Sequence, residues 1–231
     1  MPPVVVVQAR MSSARLPGKV LRPAHGKPLL GYLLERLARL APDIRTVVAT
    51  SGNADDDPVA AFCHTQSVTC VRGPLDDVAS RFIKALDETG ADAFVRVSGD
   101  SPLLDTTLVT EARALYAKTT ADLVTNVKHR TYPKGMSVEL LDAGAFRRAR
   151  TLMTSAEDIE HVTPLFYRTA EDWRIAEFTS GRALGDINLS VDTEDDFRAF
   201  ETLVARMDAP HWSYGLDEIL KLRAGVELAS T

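Results

Sequence analysis

The chain has 231 residues, of which 45% are hydrophobic and 26% are charged, and its formal net charge is −5. These values are typical of a globular protein and exclude a general binder of polyanions, so we expect no nucleic-acid partner. No apolar run approaches the roughly 20 residues of a membrane span, and the N-terminus lacks a signal-peptide core, so we expect no membrane association. With only Cys63 and Cys70 available, we expect free thiols and a cytoplasmic protein.

The first 126 residues alternate between strand and helix patterns. Short apolar, β-branched runs predict strands at 4–7, 46–50, 68–71, 93–97 and 122–126. Apolar residues at helical spacing predict helices at 28–40, 57–62, 77–86 and 108–116. This alternation predicts a mostly parallel central sheet with helices on both faces, and in such sheets ligands bind beyond the carboxyl ends of the strands.

The pattern changes after residue 126. The stretch 128–141 contains Tyr132-Pro133-Lys134-Gly135 and is interpreted as a turn-rich connector. Beyond it, the sequence predicts helices near 145–153 and 156–168, strands at 174–178 and 187–191, and closing helices at 194–207 and 216–223. We expect a single domain over residues 1–231, with an excursion at about 128–185, rather than two independent domains.

A basic loop follows the first predicted strand. Residues 8–21 read QARMSSARLPGKVL, and no acid precedes Glu35. An anion could be held there by cations, hydroxyls and closely approaching backbone N–H groups, which come from Arg10, Ser12, Ser13, Arg15, Gly18 and Lys19. The spacing matches neither a Walker P-loop nor a dinucleotide-binding motif. A solvated basic loop remains the alternative; Arg22 and Lys27 are interpreted as surface charge.

A carboxylate stands where the fourth strand is predicted to end. The stretch Ser98-Gly99-Asp100-Ser101-Pro102 follows the run 93–97, and Asp100 could reach a metal ion or a ribose from that position. The alternative is a turn in which the aspartate bonds to the local backbone. Asp105, slightly further along, is predicted to cap the next helix.

A second carboxylate occupies a similar place near the end of the chain. Residues 190–196 read SVDTEDD, and Thr193 with Asp196 predicts a helix start. Asp192 lies before that start, at the end of the predicted strand. Two distant strand-end carboxylates that face a cationic loop could bind a Mg²⁺ ion and a polyphosphate. Enzymes of phosphoryl or nucleotidyl transfer need these groups, so the sequence predicts a reaction of that kind.

These stretches resemble the motifs of the cytidylyltransferases that make CMP-sugars. The resemblance is to the spore-coat polysaccharide (SpsF-like) group within the wider class of acylneuraminate and Kdo cytidylyltransferases. Residues 9–19 (ARMSSARLPGK) are similar to the signature A-R-x-x-S-x-R-[LI]-P-G-K. Residues 96–103 (RVSGDSPL) and 191–195 (VDTED) are similar to two further motifs, and 160–164 (EHVTP) matches the narrower group. The matches span residues 4 to 200.

The resemblance implies a GT-A-like (Rossmann-like) nucleotidyltransferase fold. It implies that CMP passes from CTP to the anomeric hydroxyl of a sugar acid, in surface-polysaccharide or glycoconjugate synthesis. The implied catalytic residues are Arg10 and Lys19, which hold the CTP phosphates with help from Arg15, and Asp100 and Asp192, which hold Mg²⁺ or another divalent cation.

The same resemblance implies the remaining binding residues. The base and ribose are read near residues 72–81, and the nucleotide-binding set is Gln8, Ala9, Arg10, Ser12, Ser13, Arg15, Gly18, Lys19, Arg72, Ser80, Arg81, Ser98 and Gly99. The excursion supplies the sugar pocket and part of a homodimer interface, and its candidate sugar residues are Tyr132, Glu139, Glu160 and His161.

One position departs from the narrower group. That group often reads G-L-D-V-E in the connector, whereas here Ser137 stands in place of the acid while Glu139 is retained. The sequence therefore leaves open which sugar is used and whether the chain turns over. Two alternatives also remain open: an enzyme of the same fold with another donor, either a different NTP or a sugar nucleotide in glycosyl transfer, and a catalytically silent nucleotide-binding module.

Overall fold

The computed structural model describes residues 2–229, and the side chains of residues 2–225. The strands are β1 (Val4–Gln8), β2 (Pro23–Ala24), β3 (Lys27–Pro28), β4 (Thr46–Ser51), β5 (Thr69–Gly73), β6 (Ala93–Ser98), β7 (Leu123–Thr125), β8 (Glu139–Asp142) and β9 (Ile175–Glu177). The helices are α1 (Leu29–Leu37), α2 (Asp57–Thr65), α3 (Val78–Thr89), α4 (Thr106–Lys118), α5 (Ala143–Leu152), α6 (Ala156–His161), α7 (Pro164–Arg168), α8 (Glu194–Ala205) and α9 (Leu216–Ala229).

A seven-stranded sheet forms the centre of the molecule, in the order β5-β4-β1-β6-β8-β7-β9. β1 pairs in parallel with β4 and β6, β4 with β5, and β7 with β9. β8 is antiparallel to both of its neighbours, β6 and β7. The predicted α/β fold with a mostly parallel sheet is confirmed.

Two hydrophobic cores lie on opposite faces of this sheet, and β1 contributes to both. Val5 and Val7 pack into the core that contains apolar residues of α1, α4 and α8, whereas Val4 and Val6 face the core formed with α3 and α5. A strand covered on both faces needs apolar side chains at every position, which explains the unbroken valine run. The helices therefore cover both faces, as predicted.

The strands differ from the prediction in three places. The two-residue strands β2 and β3, which pair with each other, were not predicted. β8 was not predicted, because Leu140 and Leu141 are both buried on opposite faces and show no alternation, directly after a turn-rich stretch. The strand predicted at 187–191 is wrong. Only Asn188 forms a bridge, to Lys134, because the segment meets a single neighbouring residue rather than a full strand.

The helix predicted at 156–168 is two helices, α6 and α7. Val162 between them has φ 74°, a value that ends an α-helix, and Pro164 has no N–H to continue the hydrogen-bond ladder. The predicted caps are confirmed, since Asp105 accepts a hydrogen bond from the Thr107 N–H and Thr193 forms a capping box with Asp196.

The two cysteines have different exposure. Cys63 is buried and Cys70 is partly buried, and both are free, as predicted. Among residues 2–229, none of the helices combines the length and the apolar character that crossing a bilayer requires.

Candidate functional site

The carboxyl ends of β1 and β6 meet the segment before α8 at one edge of the sheet. The Gly99 N–H donates to the Gln8 carbonyl over 2.9 Å, and the Val191 N–H donates to the Asp100 carbonyl over 2.8 Å. A Cβ at Gly99 would lie 3.0 Å from the Gln8 oxygen, so glycine allows this close approach. Asp192 is therefore brought beside Asp100 by backbone contacts, without the strand that the sequence predicted.

Lys19 lies at the centre of this edge. Its Nζ donates to Asp100 Oδ2 over 3.0 Å, to Asp192 Oδ1 over 2.8 Å and to the Val191 carbonyl over 2.8 Å. The Lys19 side chain is 8% exposed, so the three ammonium protons are used in a site largely shielded from water. Arg15 adds a second cation, 2.9 Å from Asp192 Oδ1. Two carboxylates and two cations thus form one compact network.

The basic loop is held in place by its own backbone and by a buried acid. Gly18 has φ 74° and donates its N–H to the Met11 carbonyl over 2.8 Å. The Met11 N–H donates to Asp56 Oδ1 over 2.6 Å, and Ser51 also donates to this aspartate. Sequence reasoning missed Asp56, because it lies in an acidic run, 55–57, that was read as a helix start. Its burial is the feature that marks it out.

A cavity of about 280 Å³ opens beside this network, and we call it the central cavity. It is lined by Gln8, Ala9, Arg10, Ser13, Ala14, Arg15, Lys19, Val20, Val78, Arg81, Ser98, Asp100, Glu160, His161 and Asp192. Most of the residues predicted to bind a nucleotide are therefore gathered around one space. The positive charge of the loop faces that space together with the two carboxylates.

Arg81 is the most unusual residue of the central cavity. Its side chain is buried, and its Nε and Nη1 atoms have no hydrogen-bond partner among the described residues. Burial lowers the pKa of this guanidinium, because water no longer solvates the charge. Buried donors without partners are costly, and they are most easily explained by an acceptor that completes the site.

Several of the residues predicted to bind the nucleotide lie outside the lining of the central cavity. Arg72 donates to the carbonyls of Ser51 and Asn53 and pairs with Asp57 over 2.7 Å, which braces the loop after β4. Ser80 bonds to the Asp77 carbonyl at the start of α3. Ser12 is exposed, Gly18 is partly buried and Gly99 is buried, and none of the three lines the central cavity. The last two shape the loops as described above.

The four candidate sugar residues have different surroundings. Tyr132 is buried in the core, packs against Phe178 and lies outside the lining of the central cavity. Glu139 is 3% exposed and accepts hydrogen bonds from Arg96 Nη1 and the Tyr167 hydroxyl, so both of its oxygens are occupied. Burial is also the main cause of a raised pKa at Tyr167.

The other two candidates come from α6. Glu160 accepts from Arg10 Nη2 over 2.7 Å and so ties this helix to the basic loop. His161 lines both the central cavity and a wider one. α6 therefore forms the border between two spaces.

Two further cavities extend from the carboxylates toward the excursion. The side cavity, about 220 Å³, shares Ser98, Asp100 and Asp192 with the central cavity. The outer cavity, about 670 Å³, shares Arg96, Arg130, Ser137 and Glu139 with the side cavity. The three spaces thus form a continuous series around the two carboxylates.

The two carboxylates are suited to holding a divalent cation. Asp100 and Asp192 already converge on one positive charge, the Lys19 ammonium, and carboxylate oxygens are the donors that hard cations prefer. The described residues contain no group of three or more acids, histidines or cysteines arranged around one ion. Any further ligands would therefore come from phosphate oxygens and water.

Comparisons with known proteins agree with this geometry. A family model described as Cytidylyltransferase matches residues 4–223. The spore coat polysaccharide biosynthesis protein SpsF of Bacillus subtilis is 28% identical over 209 residues, which cover 86% of this chain and 84% of SpsF.

Two solved structures share the fold. A cytidylyltransferase from Leptospira borgpetersenii superposes with a TM-score of 0.90 at 24% identity, covering 100% of this chain and 95% of the other. A CMP:2-keto-3-deoxy-manno-octonic acid synthetase complexed with CTP gives a TM-score of 0.69 at 19% identity, covering 89% and 99%. Because the family model matches nearly the whole chain, this protein belongs to the cytidylyltransferase family.

Proposed function

We propose that this protein transfers CMP from CTP to the anomeric hydroxyl of a sugar acid and releases pyrophosphate. The observation that carries the proposal is the convergence of Lys19, Asp100 and Asp192 in a cavity that Arg10 and Arg15 also line. Cations of this density suit a triphosphate, and the paired carboxylates suit the metal that accompanies it.

The proposed reaction is a single in-line displacement at the α-phosphorus of CTP. The acceptor oxygen forms a bond to that phosphorus while the bond to the β-phosphate oxygen breaks. Pyrophosphate leaves with the electron pair, and the acceptor hydroxyl loses its proton to water. Arg10, Arg15 and Lys19 would stabilise the charge that develops on the leaving pyrophosphate, and catalysis would rest mainly on positioning and electrostatics.

Asp100 and Asp192 would hold the divalent cation, for which we propose Mg²⁺. When bound, such an ion supplies positive charge that polarises the phosphoryl oxygens. The two carboxylates would exchange the Lys19 ammonium for this ion, which would free the lysine to contact the phosphates.

The choice of CTP is supported by the family and by Arg81. The relative solved with CTP shares the fold. A cytosine ring offers ring nitrogen and carbonyl acceptors, and the unpaired buried donors of Arg81 line the same cavity as the phosphate-binding cations.

The proposed function also includes a location, an oligomeric state and a biosynthetic process. We propose a cytoplasmic homodimer that acts in surface-polysaccharide or glycoconjugate synthesis, built as one domain whose excursion at about 128–185 serves sugar binding and dimerisation. The polysaccharide setting is supported by the name of SpsF, the location by the free thiols Cys63 and Cys70, and the dimer by the resemblance to the family.

A screen of the four NTPs against nonulosonic and Kdo-type acids tests the reaction directly. We expect Mg²⁺-dependent pyrophosphate release with CTP and one or more of the acids. Release with ATP or UTP only would reject the assignment of the base. Binding of CTP without pyrophosphate from any pair would reject the enzyme and favour a silent binding module.

The variant Asp192→Asn tests the role of the carboxylates. We expect kcat to fall about 100-fold or more, because the neutral amide holds a divalent cation poorly. Circular dichroism should show an unchanged fold. Asp195→Asn is the matched control, since Asp195 is exposed in the first turn of α8 and lies outside the central cavity. A near-normal rate for Asp192→Asn would remove this residue from the metal site.

A further inference from the structure

We infer that Arg130 and Lys134 bind an anionic group of the acceptor, and that the neutral Ser137 makes this possible because a carboxylate at that position would pair with Arg130. The inference rests on the proposed function and identifies how the acceptor is recognised. The ligand group is an oxyanion, either a carboxylate or a phosphate, carried at a distance from the hydroxyl that reacts.

The location of these residues is the first argument. Arg130, Lys134 and Ser137 line the side cavity, and so do Asp100 and Asp192. An acceptor in this space could therefore place its anionic group against Arg130 and Lys134 while its hydroxyl faces the metal-binding carboxylates. The outer cavity continues past Arg130 and Ser137, which leaves room for the rest of a large sugar.

The wall that carries these residues is held firmly by the segment before Asp192. A Cβ at Gly185 would lie 2.6 Å from the Arg130 carbonyl oxygen and 3.3 Å from its Cγ, so glycine is needed for this contact. The Lys134 N–H donates to the Ile187 carbonyl, and its own carbonyl accepts from the Leu189 N–H, both over 2.9 Å. The two cations thus project from a backbone whose position is set by packing.

The charge balance is the second argument. Arg130 Nη1 donates to Ser137 Oγ over 3.2 Å, and no carboxylate among residues 2–225 pairs with Arg130 or Lys134. The other arginines that line the side and outer cavities differ, since Arg96 pairs with Glu139 and Arg168 with Asp158. Two positive charges beside the reaction centre are therefore left for a ligand.

Ser137 is the position that controls this balance. Its hydroxyl is neutral and already within hydrogen-bond distance of the Arg130 guanidinium. A carboxylate at the same position would pair with Arg130 by a charge-assisted bond and would repel an incoming oxyanion. Among the described residues that line the side cavity, the acids are Asp100, Asp192 and Glu139, and the oxygens of Glu139 are occupied by Arg96 and Tyr167.

The first arm of the test compares Ser137→Asp and Ser137→Asn with the wild type. Acceptors are supplied in matched pairs: sugar acids with their methyl esters, and sugar phosphates with their dephosphorylated forms. We expect wild-type preference for one anionic class, which distinguishes carboxylate from phosphate. Ser137→Asp should raise the KM for that acceptor about 10-fold or more and leave the KM for CTP unchanged. Ser137→Asn changes the side chain without adding a charge, so it should raise that KM less than Ser137→Asp does.

The inference is overturned if Ser137→Asp leaves the acceptor KM unchanged, or if neutral acceptors are used as well as anionic ones. Arg130→Gln and Lys134→Gln test the same point by removing each charge. Lys128→Gln is their control, because Lys128 pairs with Glu177 and does not line the cavities. We expect the first two variants to raise the acceptor KM and the control to leave it unchanged.

The second arm needs no turnover and separates this inference from the proposed function. Inorganic phosphate is titrated into each variant, and the rise in Tm is recorded. We expect the rise to be smaller in Ser137→Asp and Arg130→Gln than in the wild type and Ser137→Asn, while phosphate bound elsewhere contributes equally to all. Equal rises would overturn the anion site. A difference without turnover of any acceptor would leave the site standing and reject the transferase.

Discussion

At the scale of single residues, the contacts of Lys19 determine whether the two carboxylates are paired within the protein. The sequence predicts that Lys19 binds phosphate. In the structure, the Lys19 ammonium is instead bonded to Asp100 and Asp192, which lie 81 and 173 positions further along the chain. The lysine therefore neutralises two neighbouring carboxylates that would otherwise repel each other. Phosphate binding and this internal pairing compete for the same three protons.

The variant Lys19→Met tests this role apart from catalysis. In EDTA we expect the free energy of unfolding to fall by about 1–2 kcal/mol, because two partly buried carboxylates lose their common partner. Mn²⁺ or Mg²⁺ should stabilise the variant more than it stabilises the wild type, since the ion no longer competes with the Lys19 ammonium for the two carboxylates. Urea unfolding with and without the ion measures both effects.

Lys118→Met is the control for that experiment, because Lys118 is exposed at the end of α4. It should leave both the stability and the response to the ion unchanged. A Lys19→Met protein as stable as the wild type in EDTA would show that the lysine does not hold the carboxylates together.

At the scale of elements, a close backbone contact at Gly135 positions the segment 187–191, which the sequence predicts as a strand. The segment 187–191 is not a strand, and it lies beside Gly135, whose φ is 88°. A Cβ at Gly135 would lie 2.7 Å from both the Leu189 carbonyl carbon and the Ser190 nitrogen. This close backbone contact, with the Lys134 hydrogen bonds, directs the chain to Asp192.

The variant Gly135→Ala should cost about 3 kcal/mol or more of unfolding free energy, because the methyl group meets backbone atoms that cannot move aside. Gly181→Ala is the matched control. Gly181 also has a positive φ, 67°, but a Cβ there would have no atom within 4 Å. The control should cost only about 1 kcal/mol, from the backbone conformation alone. Similar losses for the two variants would contradict a packing role for Gly135.

At the scale of the whole molecule, Arg36 joins the N-terminal half to the C-terminal segment. This side chain is buried in α1 and donates to the carbonyls of Leu104, His211 and Tyr214. Burial lowers its pKa to about 10, because the guanidinium is removed from water. Two distant stretches of backbone, at Leu104 and at 211–214, therefore depend on one cation on the side of the sheet away from α3 and α5.

We expect Arg36→Met to lower the free energy of unfolding by about 3–5 kcal/mol, because three carbonyls at buried or partly buried positions lose their donor. The affinity for CTP should be unchanged in the protein that remains folded, since Arg36 lies outside the central cavity. Arg39→Met is the control, because Arg39 is exposed and stacks on Trp212. Equal losses would show that the buried carbonyls do not need this donor.

Much of the fold could be predicted from local patterns. β1, β4 and β6 are runs of buried residues near the middle of the sheet, and α1 and α8 have apolar faces at helical spacing. β8 could not be predicted in this way, because it exists only through antiparallel pairing with β6 and β7. The break between α6 and α7 was also missed, although Pro164 marks it.

The candidate site could be predicted in part for the same reason. Arg10, Lys19, Asp100 and Asp192 stand out as charged residues next to predicted strand ends or glycine turns. Asp56 and the unpaired Arg130 do not stand out, because an acid in an acidic run and an arginine in a turn are ordinary in sequence. Only their partners, or the lack of one among the described residues, distinguish them.

The sequence by itself determined the class of fold, the family and the residues that carry charge into the site. These depend on local periodicity and on short motifs, which are present in the order of residues alone. The tertiary structure alone decided that Lys19 bridges the two carboxylates, that residues 2–225 supply no partner for two buried donors of Arg81, and that they supply no acid to pair with Arg130. Those facts depend on contacts between residues far apart in the chain, and hydrogen bonding and burial act on distance in space rather than in sequence.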